Sequence, residues 1–343
     1  MRLAEPNPPR EGWFYHQLPY GSDALVHPLR LIINGGFGIL QFDNRDNRLG
    51  SVDFENGWRA VTRNVRHPVR AIEAAGWWDF LQREVIPISI NTNKAQYWPN
   101  YTLHLIGGGM SYTMMREWYQ AQGYPRPKLW AGTTLAAYHL LNEVVENDTQ
   151  LGATTDPVAD LFLFDPASIL LFSNEGVNAF FSRRLHLSDW SGQPAIDPEK
   201  GTIENHGQNF SIKVGVPRTS SWSFFYYFGN HGEGGLSYRR GSSAYSLAVG
   251  MRARELVDLE DNTRTTRLAP SVGFFYDRNG SLLFSAQWAN TTRYRLKVNA
   301  YPGLLRVGAF SPGLFVNANK HDEVLLGVMI SAIPIGLSTR VSR

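Results

Sequence analysis

Cysteine is absent from this chain of 343 residues, which excludes disulfide bonds, thiolate zinc sites and cysteine nucleophiles. Long apolar runs are also absent: no stretch reaches the roughly 18 consecutive apolar residues that a membrane-spanning helix needs. A strong charge of one sign is missing too, with 33 Lys and Arg against 30 Asp and Glu. The near balance argues against a protein that holds nucleic acid by bulk electrostatics.

Several motifs of known chemistry do not occur. The HExxH zinc motif and the GxSxG nucleophile elbow are both missing. The glycine runs at 35–36 and 107–109 lack the strand-turn-helix context of a phosphate-binding loop. We therefore expect no nucleotide and no cofactor. Residues 1–10 show no apolar run after Arg2, so we expect that any export signal has been removed from this chain.

The second half of the chain alternates between apolar side chains and small, polar or basic ones. A period of two predicts β-strands, and turn residues such as those at 277–280 separate them. Several segments could extend to about 9–11 residues, which favours a transmembrane barrel over a soluble barrel or sandwich. The alternating segments are 208–216, 222–228, 245–252, 268–276, 282–288, 294–299, 324–330 and 335–341.

An earlier stretch, 31–42, also alternates and is predicted as the first barrel strand. A barrel closes without an edge, so we expect this strand to pair with the last one, at about 335–342. The expected fold is mainly β: a transmembrane antiparallel barrel of roughly 10–12 strands with a helical insertion after the first strand. The predicted organisation is a lead-in (1–28), the first strand (29–42), a helical plug or cap (43–190) and the remaining strands (191–343).

Helical periodicity in the insertion places polar residues on common faces. His139 and Glu143 are four residues apart, and so are Asp156 and Asp160. Together with His104 they fit a hydrogen-bonded network between buried helices, a metal site or an acid/base pair. We favour the network and expect no metal. In the enzymatic alternative, the candidate catalytic residues are His104, Glu143 and Asp160.

Other polar residues are predicted to join this network or to contact a ligand. If the apolar rows face lipid, the basic side chains of the strands face the barrel interior. There they would meet the carboxylates of the helices or an anionic ligand, because an unpaired buried charge is costly. These residues are Arg116, Asn142, Asp156, Asn174 and Glu175 in the helices, and Arg252, Arg295 and Lys297 in the strands.

A set of short motifs between about 97 and 180 carries a resemblance. They are Asn100-Tyr101-x-x-His104, Arg116, Asn142-Glu143, Asp156 with Asp160, and Asn174-Glu175-Gly176. This segment resembles a family of uncharacterised envelope proteins of Gram-negative bacteria, a domain of unknown function that combines helices with a predicted outer-membrane barrel. The resemblance implies an envelope location and no established activity.

The leading functional hypothesis is an outer-membrane barrel that binds or passes an apolar or lipid-like ligand, with membrane lipid as its partner. One alternative is a membrane-embedded lipid hydrolase or acyltransferase that uses His104 with Asp160 or Glu143. Another is a soluble β-barrel that binds a hydrophobic ligand at its mouth.

Overall fold

Helices fill the N-terminal half of the chain and strands fill the C-terminal half. The computed structural model describes residues 12–86, 98–149, 154–219, 221–258, 264–308, 310–321 and 323–341. In these ranges every strand begins at Ser188 or later. The first eleven residues of the predicted lead-in, 1–11, lie outside the described residues.

The helical half contains α-helices together with short 3-10 and π-helical segments. The α-helices are α1 (Pro28–Gly36), α2 (Phe54–Arg66), α3 (Pro68–Ala75), α4 (Trp77–Phe80), α5 (Gly108–Ala121), α6 (Pro127–Glu146), α7 (Asp156–Ala159), α8 (Asp165–Phe172) and α9 (Glu175–Ala179). The 3-10 segments are Asp23–Leu25, Gly38–Gln41 and Leu49–Ser51, and the π-helical segments are Leu81–Val85, Trp98–Gly107, Asp160–Phe164 and Phe180–Arg184. Among the described helices, none combines the length and apolar character that crossing a bilayer requires.

The strands form one large sheet. They are β1 (Ser188–Asp189), β2 (Ala195–Asp197), β3 (Thr202–Glu204), β4 (Asn209–Gly215), β5 (Trp222–Gly229), β6 (His231–Arg240), β7 (Ser243–Asp258), β8 (Arg264–Arg278), β9 (Ser281–Ala289), β10 (Leu296–Ala300), β11 (Gly313–Ala318), β12 (Val324–Met329) and β13 (Gly336–Val341). Their order is β1-β4-β5-β6-β7-β8-β9-β10-β11-β12-β13-β2-β3.

Antiparallel pairing runs through this sheet except between β13 and β2, which are parallel. The prediction of a large, mostly antiparallel sheet is therefore confirmed, with 13 strands among the described residues where ten to twelve were expected. The expectation of a mainly β chain is wrong, because helices make up the N-terminal half. The order begins at β1 and ends at β3, and among the described residues no hydrogen-bonded ladder joins these two strands.

The prediction of a strand at 31–42 is wrong, because residues 28–36 form helix α1. The His27 side chain caps this helix by accepting a hydrogen bond from the Leu29 backbone nitrogen at 3.1 Å. Pro28 then fixes a helical φ in the first turn. Leu31 and Asn34 lie three residues apart on the buried face, a helical spacing that the apparent alternation concealed.

Two further predictions depended on the strand at 31–42 and are therefore also wrong. Among the described residues the helices precede the sheet instead of interrupting it, so this part of the chain contains no insertion after a first strand. The last strand, β13, pairs with β12 and β2, so no contact with residues 31–42 is needed to complete its hydrogen bonds.

Of the five hydrophobic clusters among the described residues, two position the helices and the sheet. In the sheet, Trp190 packs against Phe225 and Phe275 with ring centroids 5.5 Å apart in both pairs, and the same cluster draws on strands from β5 to β12. Strands in a sheet are about 4.8 Å apart, so a sheet whose distant strands share one core must curl around it. The helical core meets the sheet at Phe210 of β4 and Phe228 of β5. This contact joins the helical half to the sheet.

Candidate functional site

Six histidine and carboxylate side chains in the helical half form two adjacent groups, here called the His/carboxylate cluster. The first group is His104, His139 and Asp165, and the second is Glu143, Asp156 and Asp160. Within each group, one nitrogen or oxygen atom per residue lies within 4.8 Å of the others. His104 joins the groups, because its Nε2 is 3.3 Å from Asp160 Oδ2 and its Nδ1 is 3.5 Å from Asp165 Oδ1.

Unusual helical geometry positions two of these side chains. His104 lies in the π-helical segment Trp98–Gly107, and Asp160 begins the π-helical segment Asp160–Phe164. A π-helical turn contains more residues than an α-helical turn and so rotates the side chains that follow it, a feature frequent at functional sites. His139 and Glu143 lie on the buried face of the regular helix α6, as their spacing predicts.

Two Asp-Pro pairs place the remaining carboxylates. Asp156 is the first residue of α7 and Asp165 is the first residue of α8, and each is followed by a proline. Proline suits the first turn of a helix because its missing N–H would have no partner there. A carboxylate in that turn is also favoured by the helix dipole.

Glycine lets the helices of the cluster approach closely. A Cβ atom at Gly109 would lie 2.1 Å from Phe172 Cδ2, and one at Gly108 would lie 3.3 Å from His139 Cε1. The glycine run therefore allows α5 to pack directly against α8, which keeps the π-helical segment of His104 beside α6 and α8.

Five of the six residues of the cluster are buried, and Asp156 is half-buried. Relative exposure is 0% for His139, 1% for Glu143, 3% for Asp160 and 7% for both His104 and Asp165. In the described part of the chain, the ion-pair partners of Asp160 and Asp165 are imidazoles only. One buried atom, His139 Nε2, has no hydrogen-bond partner among the described residues.

The pKa values of the two groups shift in opposite directions: those of Glu143 and Asp160 are raised, and those of His139 and Asp165 are lowered. It raises the pKa of Glu143 well above its ordinary value, and nearby Asp156 and Glu146 add to the rise. The pKa of Asp160 is raised well above its ordinary value by burial and then by Asp156 and Glu143. Burial also favours a neutral His139 by lowering its pKa, although Asp165 opposes this effect. For Asp165, burial alone would raise the pKa, but His139 and His104 bring it below the ordinary value.

Glu84 is a buried carboxylate beside the cluster that the sequence did not single out. The Asn100 side chain donates to its backbone carbonyl at 3.0 Å and to its Oε2 at 3.3 Å, and the Thr155 hydroxyl lies 3.3 Å from its Oε1. Burial raises the pKa of Glu84 to about 7. A single glutamate in a helical pattern usually lies on a solvated face, so its sequence context carries no signal of this environment.

Several predicted site residues lie elsewhere. Arg116 and Asn142 are half-buried on α5 and α6 and do not belong to the two groups. Asn174 and Glu175 are exposed at the start of α9, where the Asn174 side chain accepts a hydrogen bond from the Gly176 nitrogen at 2.8 Å. Asp165, in contrast, was not predicted as a site residue, although its Asp-Pro pair matches that of Asp156.

In the described ranges the predicted basic residues of the strands do not meet the carboxylates of the His/carboxylate cluster, although Arg254 of β7 pairs with Asp43 in the helical half, with Nε and Oδ2 3.1 Å apart. Arg252 donates to the Tyr294 carbonyl and to Gln41 Oε1, both at 3.2 Å. Lys297 is buried with its Nζ 5.5 Å from the centre of the Tyr294 ring, and Arg295 is exposed. The interior of the sheet and the helical cluster are thus two separate polar systems.

Comparisons with known proteins assign no role to these residues. No family model matches the chain, and neither the curated proteins nor the solved structures contain a match. The resemblance to an envelope family therefore stays a prediction.

Proposed function

We propose that this chain is an outer-membrane β-barrel protein of a Gram-negative envelope that binds a lipid-like ligand, with the helices as a cap. The support is the polarity of the sheet, whose outer face is apolar and whose buried face carries many polar side chains beside the aromatic core around Trp190. A soluble sheet has the opposite arrangement, because its apolar face packs on the core. Strands that face lipid alternate apolar-out and polar-in.

The outward face carries one continuous apolar row. In the strand register, Phe224 is opposite Leu236, Leu236 is opposite Leu247, and Leu247 is opposite Phe274. Phe224 and Leu247 expose 57% and 59% of their surface. The row continues across the sheet through Ala286, Val298, Val316 and Leu326.

The buried face beside this row is rich in hydroxyl and amide groups. The Ser246 hydroxyl donates to the Ser237 hydroxyl at 2.9 Å, and the Asn299 amide donates to the Ser285 hydroxyl at 3.2 Å. All four side chains are buried.

Aromatic side chains follow the apolar row on one side. Trp222 is opposite Tyr238, Tyr238 is opposite Tyr245, and Tyr245 is opposite Tyr276. The rings of Trp222 and Tyr238 are 5.1 Å apart, as are those of Tyr245 and Tyr276. Such a row is typical of the aromatic girdle at a membrane interface, where an amphipathic ring has one wet edge.

Strand length and interior packing refine the proposal. Strands β7 and β9 contain 16 and 9 residues, which reaches the roughly 9–11 residues of a spanning strand. Strand β10 contains 5 residues, so the apolar band is taller at β7–β9 than at β10. The aromatic core around Trp190 fills the interior of the sheet, which favours binding of a lipid-like ligand over its passage.

The experiment compares two leucines of nearly equal exposure. Leu247 lies on the outer face of β7 and exposes 59% of its surface, and Leu129 lies on α6 and exposes 58%. We expect the purified full chain to fold into phospholipid vesicles, with heat-modifiable gel migration as the readout. Leu247→Arg should cost about 2–4 kcal/mol of folding free energy in lipid, whereas Leu129→Arg should leave folding unchanged. A wild-type chain that stays monodisperse without detergent, together with normal folding of Leu247→Arg, would rule the proposal out.

A lipid hydrolase or acyltransferase is the second candidate, favoured by the position of His104 between two carboxylates at 3.3 and 3.5 Å. A carboxylate that orients a histidine base must be ionised. Asp165 fits that role better than Asp160 or Glu143, because its pKa lies below the ordinary value and theirs lie above it.

This second candidate predicts turnover of a phospholipid ester by the wild-type chain. His104→Ala should abolish that turnover without lowering the unfolding midpoint, and Asp165→Asn should reduce it more than Asp160→Asn does. Absence of turnover in the wild-type chain, combined with a lower midpoint for His104→Ala, would leave the histidine with a structural role only.

A further inference from the structure

We propose that the His/carboxylate cluster binds divalent transition-metal ions at two adjacent subsites. His104, His139 and Asp165 hold one ion, and Glu143, Asp156 and Asp160 hold the other. This inference concerns the helical half alone and does not depend on the membrane proposal.

The spacing of the donor atoms fits a shared ion. Two ligands that each lie about 2.2 Å from one ion are at most about 4.4 Å apart, and the donor atoms of each group lie within 4.8 Å of one another. Side-chain shifts of a few tenths of an ångström would therefore complete the coordination. Two-metal sites place their ions about 3.5–4 Å apart, and the 3.3 Å contact between His104 and Asp160 shows that the two groups adjoin.

The donor types indicate the class of metal. Two imidazoles with one carboxylate suit Fe²⁺, Mn²⁺ or Zn²⁺, and three carboxylates favour the harder Mn²⁺ at the second subsite. Without cysteine the chain offers no thiolate, so soft metals such as Cu⁺ find no preferred ligand apart from methionine.

An unpartnered buried atom supplies an independent observation. His139 is fully buried, and its Nε2 has no hydrogen-bond partner among the described residues. A buried polar atom without a partner costs about 1–3 kcal/mol. A bound cation uses such lone pairs directly, which offsets that cost.

The surrounding contacts orient the ligands as metal sites require. His104 Nε2 lies 3.3 Å from Asp160 Oδ2 and its Nδ1 lies 3.5 Å from Asp165 Oδ1. A proton on Nε2, directed at Asp160, would leave the Nδ1 lone pair for an ion shared with Asp165, and a carboxylate on the second nitrogen fixes the tautomer and the ring orientation of a metal-binding histidine. A Cβ atom at Gly108 would lie 3.3 Å from His139 Cε1, so the backbone of α5 packs closely against the second imidazole.

The test measures metal content in the full-length chain. Protein stripped with a chelator and reloaded with Mn²⁺ or Zn²⁺ should retain about two ions per chain by mass spectrometry, and loading should raise the unfolding midpoint. Asp165→Asn should lose the first ion and Asp160→Asn the second. In the metal-free state only Asp160→Asn should unfold later than the wild type, because the pKa of Asp160 is raised whereas Asp165 is stabilised by the two histidines. Asp197→Asn is the matched control, because Asp197 is a buried carboxylate of β2 far in sequence from the cluster.

Other outcomes contradict the proposal. If the wild-type chain retains no ion and loading leaves its midpoint unchanged, the cluster is a hydrogen-bonded network. If a single ion is bound and both variants lose it equally, the two-subsite arrangement is wrong. The wild-type stoichiometry needs no variant, so the proposal remains testable even where a variant does not fold.

Discussion

The sheet and the helices both bury charge, but they do so in different ways. In the sheet, Asp277 pairs with Lys213 across strands, and Glu204 pairs with Arg340 at 2.8 Å. In the helices, Asp160 and Asp165 face imidazoles, and Glu143 lies beside other carboxylates. In the sheet, each of these two carboxylates thus has a cationic partner. In the helices, several carboxylates lie next to two histidines.

The difference separates a structural role from a functional one. A buried ion pair with good geometry recovers most of its desolvation cost, so it holds strands in register at little net gain or loss. Buried carboxylates that face one another raise the free energy of the folded state. Perturbed groups concentrate at functional sites, and the sheet interior also contains them, because burial raises the pKa of Glu233 to about 7 and lowers that of Lys297 to about 7. The helical cluster is our candidate site because only there, among the described residues, do histidines and carboxylates form groups whose donor atoms lie within 4.8 Å of one another.

The largest expected effect tests the paired charges of the sheet. Lys213→Met leaves Asp277 buried without its cation and should lower the free energy of unfolding by about 3–5 kcal/mol. The double variant Lys213→Met/Asp277→Asn removes both charges and should recover part of that loss. Denaturant unfolding measures both. A loss below about 1 kcal/mol for the single variant would show that the pair is not structural and would weaken the contrast with the helices.

Glu84 tests the cost of burying carboxylates in the helical half. Its pKa is raised from the ordinary 4.5 to about 7, so the folded state binds more protons than the unfolded state between these values. Wild-type stability should therefore fall as the pH rises from about 4.5 to about 7, by about 3 kcal/mol. Glu84→Gln should remove the contribution of Glu84 to this fall, leaving that of Glu143 and Asp160, and be the more stable chain above pH 7.

The measurement is thermal or denaturant unfolding at several pH values in the presence of a chelator. Glu73→Gln, on the exposed surface of α3, is the matched control and should change stability little at any pH. Parallel pH profiles for wild type and Glu84→Gln would mean that Glu84 is not a source of strain in the helices.

Close helix packing around the cluster is tested by Gly109→Ala. The added Cβ would lie 2.1 Å from Phe172 Cδ2, so α5 and α8 must separate, at a cost of about 1–3 kcal/mol. Gly132→Ala provides the control, because that glycine also lies in a helix and its Cβ would meet nothing within 4 Å. It should stabilise the chain by about 0.5–1 kcal/mol. Equal effects in unfolding experiments would show that the close approach at Gly109 does not constrain the site.

The strands were predictable where side chains alternate without interruption. Eight of the segments identified by alternation correspond to β4, β5, β7, β8, β9, β10, β12 and β13. The turn at 277–280 is confirmed by positive φ angles at Asn279 and Gly280. Strand β6 escaped prediction because Gly232, Gly234 and Gly235 interrupt its pattern. The hydrogen bonds to β5 and β7 stabilise such a strand more than its own β-propensity does.

The site was only partly predictable for a similar reason. Helical spacing brought His104, Glu143 and Asp160 together as candidates, and the structure places all three in the cluster. Asp165 and Glu84 were not predicted as site residues, because their burial depends on contacts between helices that are distant in the chain. Asn174 was predicted as a network or ligand residue, but an Asn-Glu pair after a helix is equally typical of a helix cap.

The smallest expected effect concerns that cap. Asn174 Oδ1 accepts hydrogen bonds from the Gly176 and Val177 nitrogens at 2.8 and 3.2 Å, which satisfies the first N–H groups of α9. Asn174→Ala should therefore lower the free energy of unfolding by about 1 kcal/mol and leave metal content unchanged, whereas Asn174→Asp should preserve the cap. Loss of a bound ion from Asn174→Ala would instead show that the candidate site includes the start of α9. Asn174 would then have a functional role in addition to its role as a helix cap.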